Sequence, residues 1–162
     1  TLLQDVIHDI GRQLNITTIL VSHDPADALS WADEVVIIQQ GKIIQHNTPS
    51  HIYHSPVSAY VARLFGAVNV LTRNKIESLF AITIARSERW YFIRPELLKI
   101  SHNESAHAAS GIVRDVKFFG AYYEAMVSVA GTVLIVRTTR PVAVRDRVYV
   151  ALSRRRLLTS AQ

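Results

Sequence analysis

The chain has 162 residues, of which 49% are apolar and 19% charged, a composition that suits one ordinary globular domain or two small ones. It contains no cysteine, which excludes disulfides and thiolate metal sites and fits a reducing compartment. No apolar run reaches the ~18 residues of a membrane-spanning helix, and no targeting segment is visible. Charge divides unevenly: residues 1–68 hold three Lys/Arg against six Asp/Glu, and residues 69–162 hold 15 against seven. Such asymmetry predicts two modules with different surroundings.

Leu3, Val6, Ile7, Ile10 and Leu14 recur at helical spacing, so residues 2–14 read as an amphipathic helix. Residues 17–22 (TTILVS) read as a short strand of the kind that is covered on both faces in a parallel sheet. The run stops at His23, the place where open α/β sheets put ligand chemistry. Asp24-Pro25 then opens a helix over 25–31, with Asp24 as N-cap and Pro25 at the first helical position. Strands over 35–39 and 42–46 flank a tight turn at Gln40-Gly41. Thr48-Pro49 starts a short helix near 49–54. Ser55-Pro56 starts another over 56–65, presenting Val57, Tyr60, Val61 and Leu64, and Gly66 stops it.

The ordered residues Val21-Ser22-His23-Asp24, Asp27-Ala28, Ala32-Asp33, Gln40-Gly41-Lys42-Ile43, Thr48-Pro49, Ile52-Tyr53 and Pro56 resemble the C-terminal end of the ATPase subunits of ABC transporters. The resemblance implies that His23 is the switch histidine, which contacts the γ-phosphate of ATP and helps position the attacking water. It also implies ATP and Mg as cofactors of an intact subunit. Histidine suits that role because its N–H can donate to a phosphoryl oxygen, with or without a gained proton. The bland alternative is a hydrogen-bonded core or cap histidine.

Other parts of that machinery are missing from the sequence. A phosphate cradle ends in Gly-Lys-Ser/Thr, and none of the six glycines begins such a triplet; Gly41-Lys42 is followed by Ile43. There is no Leu-Ser-Gly-Gly-Gln signature. Asp33-Glu34 precedes its apolar run instead of ending one, so it does not supply the magnesium and general-base pair. With Thr1 inside an amphipathic pattern, the expectation is a truncated chain, inactive alone and holding no ATP tightly. The strand over 17–22 would then lack its sheet, and residues 1–66 would be held by a neighbouring copy.

After Gly66 the pattern turns to strands: 79–84, 90–93, 112–119, 124–129, 133–137 and 147–152, with 101–110 as a polar loop. Short strands at this spacing predict a small antiparallel barrel. Phe92-Ile93-Arg94-Pro95-Glu96, Gly111-Ile112-Val113 with Phe119-Gly120, and Asp146-Arg147-Val148 resemble, in order, motifs of the TOBE domain, an OB-like barrel. Arg145 stands where that family has glycine before the last motif. The fold class expected is therefore α/β over 1–66, an incomplete C-terminal part of a nucleotide-binding domain, followed by an all-β OB-like barrel over 67–162.

Arg94 and Glu96 could contact a ligand or an interface; the bland reading is an ion pair between them or across subunits. Asp24 reads as a cap, with Asp27 supporting it through the helix dipole. His46, His51 and His54, like His102 and His107, read as solvated surface, with no metal site expected. The basic run 154–156 reads as a solvated tail. Phe118-Phe119 and Tyr122-Tyr123 put an aromatic on both faces of one hairpin, so one face would be wet unless covered by a second copy. The resemblance implies that homodimer, together with membrane-spanning permease subunits, an indirect link to a solute-binding protein, and a cytoplasmic location at the membrane's inner face. Two other classes compete: a basic module sensing an oxyanion, and a nucleic-acid-binding OB-like module, the latter needing aromatics interleaved with Lys/Arg on one face. No nucleic-acid partner is expected under the transporter reading.

Overall fold

The structure is a computed structural model that describes residues 6, 9–11, 13–85, 89–153, 158 and 159. The helix expected over 2–14 lies partly outside these residues; 9–11 and 13–14 are helical. The basic run at 154–156 lies outside them too.

Helix α1 (Pro25–Trp31) starts where Asp24 accepts a hydrogen bond from the Ala26 N–H. Strands β1 (Val35–Gln39) and β2 (Lys42–Asn47) form an antiparallel hairpin. Its two turn residues, Gln40 and Gly41, have φ of 51° and 73°, the pair of left-handed residues that a two-residue hairpin of matching twist requires. Helix α2 (Pro49–His54) is capped by Thr48. Helix α3 (Ala59–Leu64) is capped by Ser58, so it begins three residues after Pro56, later than Ser55-Pro56 suggests. That start turns Val61, Ala62 and Phe65 inward and leaves Tyr60 and Leu64 exposed.

Ile37, Ile52, Val61 and Phe65 form a small core between the β1–β2 hairpin and helices α2 and α3. Gln45 is buried beside it and closes it with two backbone bonds: its amide donates to the Ser55 carbonyl at 3.0 Å and its oxygen accepts from the Val57 N–H at 3.1 Å.

The rest of the chain is mostly β. Strand β3 (Asn69–Leu71), helix α4 (Arg73–Phe80), strand β4 (Tyr91–Ile93), a 3-10 turn (Pro95–Leu97) and strands β5 (Leu98–Ser101), β6 (Ala108–Phe118), β7 (Tyr123–Val129), β8 (Thr132–Thr138), β9 (Arg147–Leu152) and β10 (Leu158–Thr159) follow. They make a three-stranded sheet in the order β10-β4-β3 and a five-stranded sheet in the order β5-β9-β6-β7-β8, with every pairing antiparallel. The five-stranded sheet curls until its edge strands, β5 and β8, pack against each other. One core fills it, including Tyr91, Ile93, Leu98, Val113, Val127, Leu134, Val148 and Val150, and Ile76, Leu79 and Phe80 of α4 cover one side.

Two backbone features set the curl. A Cβ on Gly111 would lie 2.7–2.8 Å from atoms of Val127, Ser128 and Val129, so β6 and β7 approach there as only glycine allows. Between Val113 and Asp115 the β6–β7 register slips, and a bulge of this kind bends its strand.

Four sequence expectations are corrected. Residues 17–22 form no ladder, and Ile19 and Val21 are 87% and 93% exposed. A fully apolar strand forms only between neighbours that pair its edges and cover its faces, and no described residue does either. The described N-terminal part thus holds helices and one antiparallel hairpin rather than a parallel sheet. The apolar run at 79–84 is not a strand: Thr72 accepts from the Lys75 N–H, starts α4, and the helix runs to Phe80 with Ala81 left-handed at φ 48°. There Ile76, Leu79 and Phe80 share one helix face against the barrel, and beyond the left-handed Ala81 residues 82–84 run irregularly, the Ile84 N–H donating to Glu77 Oε1 at 2.9 Å instead of to a strand. Finally, 101–110 is only partly a loop, because β5 reaches Ser101 and β6 starts at Ala108.

Candidate functional site

The sequence-selected residues fall into two groups. The first surrounds His23. Ser22 Oγ accepts from the Asp24 N–H at 3.0 Å and donates to Asp27 Oδ2 at 2.7 Å, while Asp24 Oδ1 accepts from the Ala26 N–H at 2.8 Å. These bonds fix the backbone on the C-terminal side of His23, whose ring is exposed at the bend before α1. Asp24 is thus a helix cap, with its carboxylate at the positive end of α1.

The second group forms around Arg94 and Glu96, at the seam between the small core and the barrel. Arg94 is 1% exposed. Its Nη1 donates to the carbonyls of Ala62 at 2.8 Å and of Gly66 and Ala67 at 3.3 Å, and its Nη2 donates to the Tyr53 carbonyl at 3.3 Å. Its guanidinium also lies 4.1 Å from the centre of the Tyr53 ring. Burial pulls the guanidinium below its ordinary value, while Tyr53 and Glu96 draw it back up.

Glu96 does not pair with Arg94, which corrects the simple ion-pair expectation. It accepts from Tyr53 Oη at 2.6 Å, and its other oxygen lies 3.9 Å from Arg137 Nη1. Pro95 between them begins a 3-10 turn that sends the two side chains to separate partners. The Tyr53 phenol is pushed up to about 12, first by burial, then by its bond to Glu96 and the charge of that carboxylate. Arg137 in turn donates to Glu124 at 3.0 Å and lies 4.0 Å from the centre of the Tyr122 ring. Burial works against its charge, but the Glu124 bond and the attraction of Glu96, Tyr122 and Glu124 outweigh it and raise its pKa.

Tyr122 stacks on Phe119 at the exposed β6–β7 turn, with ring centres 5.2 Å apart, and Phe118 lies 5.0 Å from Tyr123. Phe118 is 65% exposed, so this hairpin presents aromatic surface as its sequence predicts.

The histidines scatter. His46 pairs with Glu34 at 2.8 Å, His54 Nδ1 meets the Ser50 carbonyl at 2.8 Å, and His107 Nδ1 meets the Ala81 carbonyl at 3.0 Å. Among the described residues no three His, Cys, Asp or Glu side chains are grouped to hold a metal ion, and no helix is long and apolar enough to cross a membrane.

Sequence reasoning missed Asn69 and Tyr53. Asn69 is buried; its amide nitrogen donates to the carbonyls of Ile93 at 3.2 Å and Ile135 at 2.8 Å, and its oxygen accepts from the Ile135 N–H at 2.7 Å. It thereby joins β3 and β4 to β8, strands of different sheets. A lone polar residue before Val70-Leu71 was the available signal, but nothing local says that its partners lie 24 and 66 positions on.

Residues 91–159, which hold the curled antiparallel sheet and the Arg94-Pro95-Glu96 corner before it, match the TOBE domain family. The chain is related to the ATP-binding subunits of ABC importers. It is 31% identical to the spermidine/putrescine import ATP-binding protein PotA of Borrelia garinii subsp. bavariensis, over 93% of this chain and 46% of that protein. It is 35% identical to the sulfate/thiosulfate import ATP-binding protein CysA 2 of Chromobacterium violaceum, over 74% of this chain and 36% of that protein. It is 26% identical to the Fe(3+) ions import ATP-binding protein FbpC of Escherichia coli O157:H7, over 83% and 41%. The chain spans less than half the length of these relatives.

Proposed function

We propose that this chain serves as the C-terminal segment of the ATP-binding, ATP-hydrolysing subunit of an ABC importer. In this reading residues 1–66 finish the α/β ATPase domain and residues 67–162 form an OB-like regulatory and dimerising barrel. One observation carries it: an exposed histidine on a capped bend, followed by a TOBE domain, in a chain related along most of its length to import ATP-binding proteins. The family match and the relatives favour transport over the oxyanion-sensing and nucleic-acid readings. The relatives' names give both cations and an anion as cargo, which fits a shared motor segment rather than a cargo-recognising one.

His23 contributes one hydrogen-bond donor. Its N–H meets a γ-phosphate oxygen and stabilises the charge that develops there, which is where phosphoryl-transfer catalysis gains most. Ser22, Asp24 and Asp27 hold the backbone beside it, and the exposed ring takes no part in the helix cap. When bound, Mg neutralises phosphate charge. The donor set of this chain fits a single phosphate contact and not a cradle, so ATP and Mg belong to the intact subunit. The partners are a second copy, two membrane-spanning permease subunits and, through them, a solute-binding protein, at the cytoplasmic face of the membrane. The exposed Phe118 and Phe119 support the second copy.

The test is His23→Ala in the full-length subunit. Hydrolysis falls by about two orders of magnitude or more while ATP binding persists, as expected when a donor to the developing charge is removed. Undiminished turnover in that variant overturns the reading.

A further inference from the structure

Arg94 follows β4, whose residues are buried with the barrel, yet the four hydrogen bonds of its fork run to the two helices before the barrel and to the connection that joins them to it. Ala62 lies in the last turn of α3, where carbonyls have no intrahelical partner and a cation is favoured. Gly66 and Ala67 lie in the connection to the barrel, and Tyr53 is in the last turn of α2. A planar guanidinium with five donors can serve such divergent carbonyls; an ammonium on a flexible stem cannot hold them together in the same way.

Tyr53 is gripped from both sides of Pro95, its ring and carbonyl by Arg94 and its hydroxyl by Glu96. Glu96 is rooted through Arg137 of β8 to Glu124 of β7. Arg94 is the buried member of this set, and opening the seam would strip its charge of acceptors and leave several carbonyls unpaired, which is costly. We infer that the Arg94–Tyr53–Glu96 clasp makes helices α2 and α3 and the barrel one cooperative unit. A ligand or partner that binds the barrel then stabilises α2 and α3 too, and the coupling is reciprocal. Because α2 packs against α1, the linkage reaches the helix that Asp24 caps, next to His23. The inference concerns this chain alone and does not depend on the transport reading.

Amide hydrogen exchange of the chain, read by mass spectrometry, tests it. In the wild type, peptides covering 49–64 and 108–138 show equal protection, the mark of a shared opening. In Arg94→Met, protection of 49–64 falls about a hundredfold or more, the factor expected when several carbonyls lose the charged donor that serves them, while 108–138 changes far less. Tyr53→Phe keeps Arg94 and lowers protection of 49–64 selectively by a smaller factor; it decides the matter if Arg94→Met does not fold. Exchange of 49–64 already tenfold faster than that of 108–138 in the wild type overturns the inference. So does an equal loss, or no loss, in both segments of the variants.

Discussion

Tyr53 donates its phenolic proton to Glu96 at 2.6 Å across the boundary between a helix and a β-barrel, from residues 43 positions apart. The bond joins the last turn of α2 to the turn after β4. The pH dependence of the fold follows from it.

The folded chain holds the Tyr53 proton up to about 12, against the ordinary 10.0. Between these values the unfolded chain binds fewer protons than the native one, so stability falls as pH rises. The contribution is fully present below about pH 10 and is lost by about pH 12. Urea midpoints measured from pH 8 to pH 11.5 should decline at the alkaline end. In Tyr53→Phe that part of the decline should vanish; an identical alkaline profile in the variant contradicts the assignment.

Asn69 carries three hydrogen bonds to Ile93 and Ile135. Asn69→Ala leaves a buried N–H and carbonyls unpaired, and should cost about 3 kcal/mol in urea unfolding. Asn69→Asp should be no better, since a carboxylate cannot donate to the two carbonyls. A loss near zero in both variants would mean that the sheets are held together elsewhere.

Arg145 sits at φ 78°, where a side chain is strained, and its N–H bonds to the Val113 carbonyl at 2.8 Å. The tight turn forms despite lacking the family's glycine, because Asp146 accepts from the Ala143 N–H at 2.8 Å and its own N–H reaches the Ala143 carbonyl at 3.1 Å. Arg145→Gly should raise stability by about 1 kcal/mol, the relieved strain less glycine's extra unfolded-state entropy. Thermal denaturation reads the gain, and a lower Tm contradicts it.

Phe118 and Phe119 leave aromatic surface in water at the tip of the β6–β7 hairpin. If a second copy covers it, light scattering at micromolar concentration should give a dimer for the wild type. The double variant Phe118→Ser/Phe119→Ser should give a monomer with an unchanged circular dichroism spectrum. A wild-type monomer contradicts the assembly.

The sequence alone determined the local features. Asp24-Pro25, Thr48-Pro49 and Gln40-Gly41 form the caps and the turn their chemistry dictates, because each needs only partners within four residues. Tertiary structure decided what depends on distant partners. The same apolar character gives a ladder at 35–39 and none at 17–22, because only the former has a strand to pair with and a core to cover it. Arg94, which reads locally as a surface charge beside a carboxylate, became a buried clasp because carbonyls of residues 53, 62, 66 and 67 converge on it. A buried charge is tolerated only where enough acceptors meet, and that convergence is a property of the folded chain and not of any stretch of its sequence.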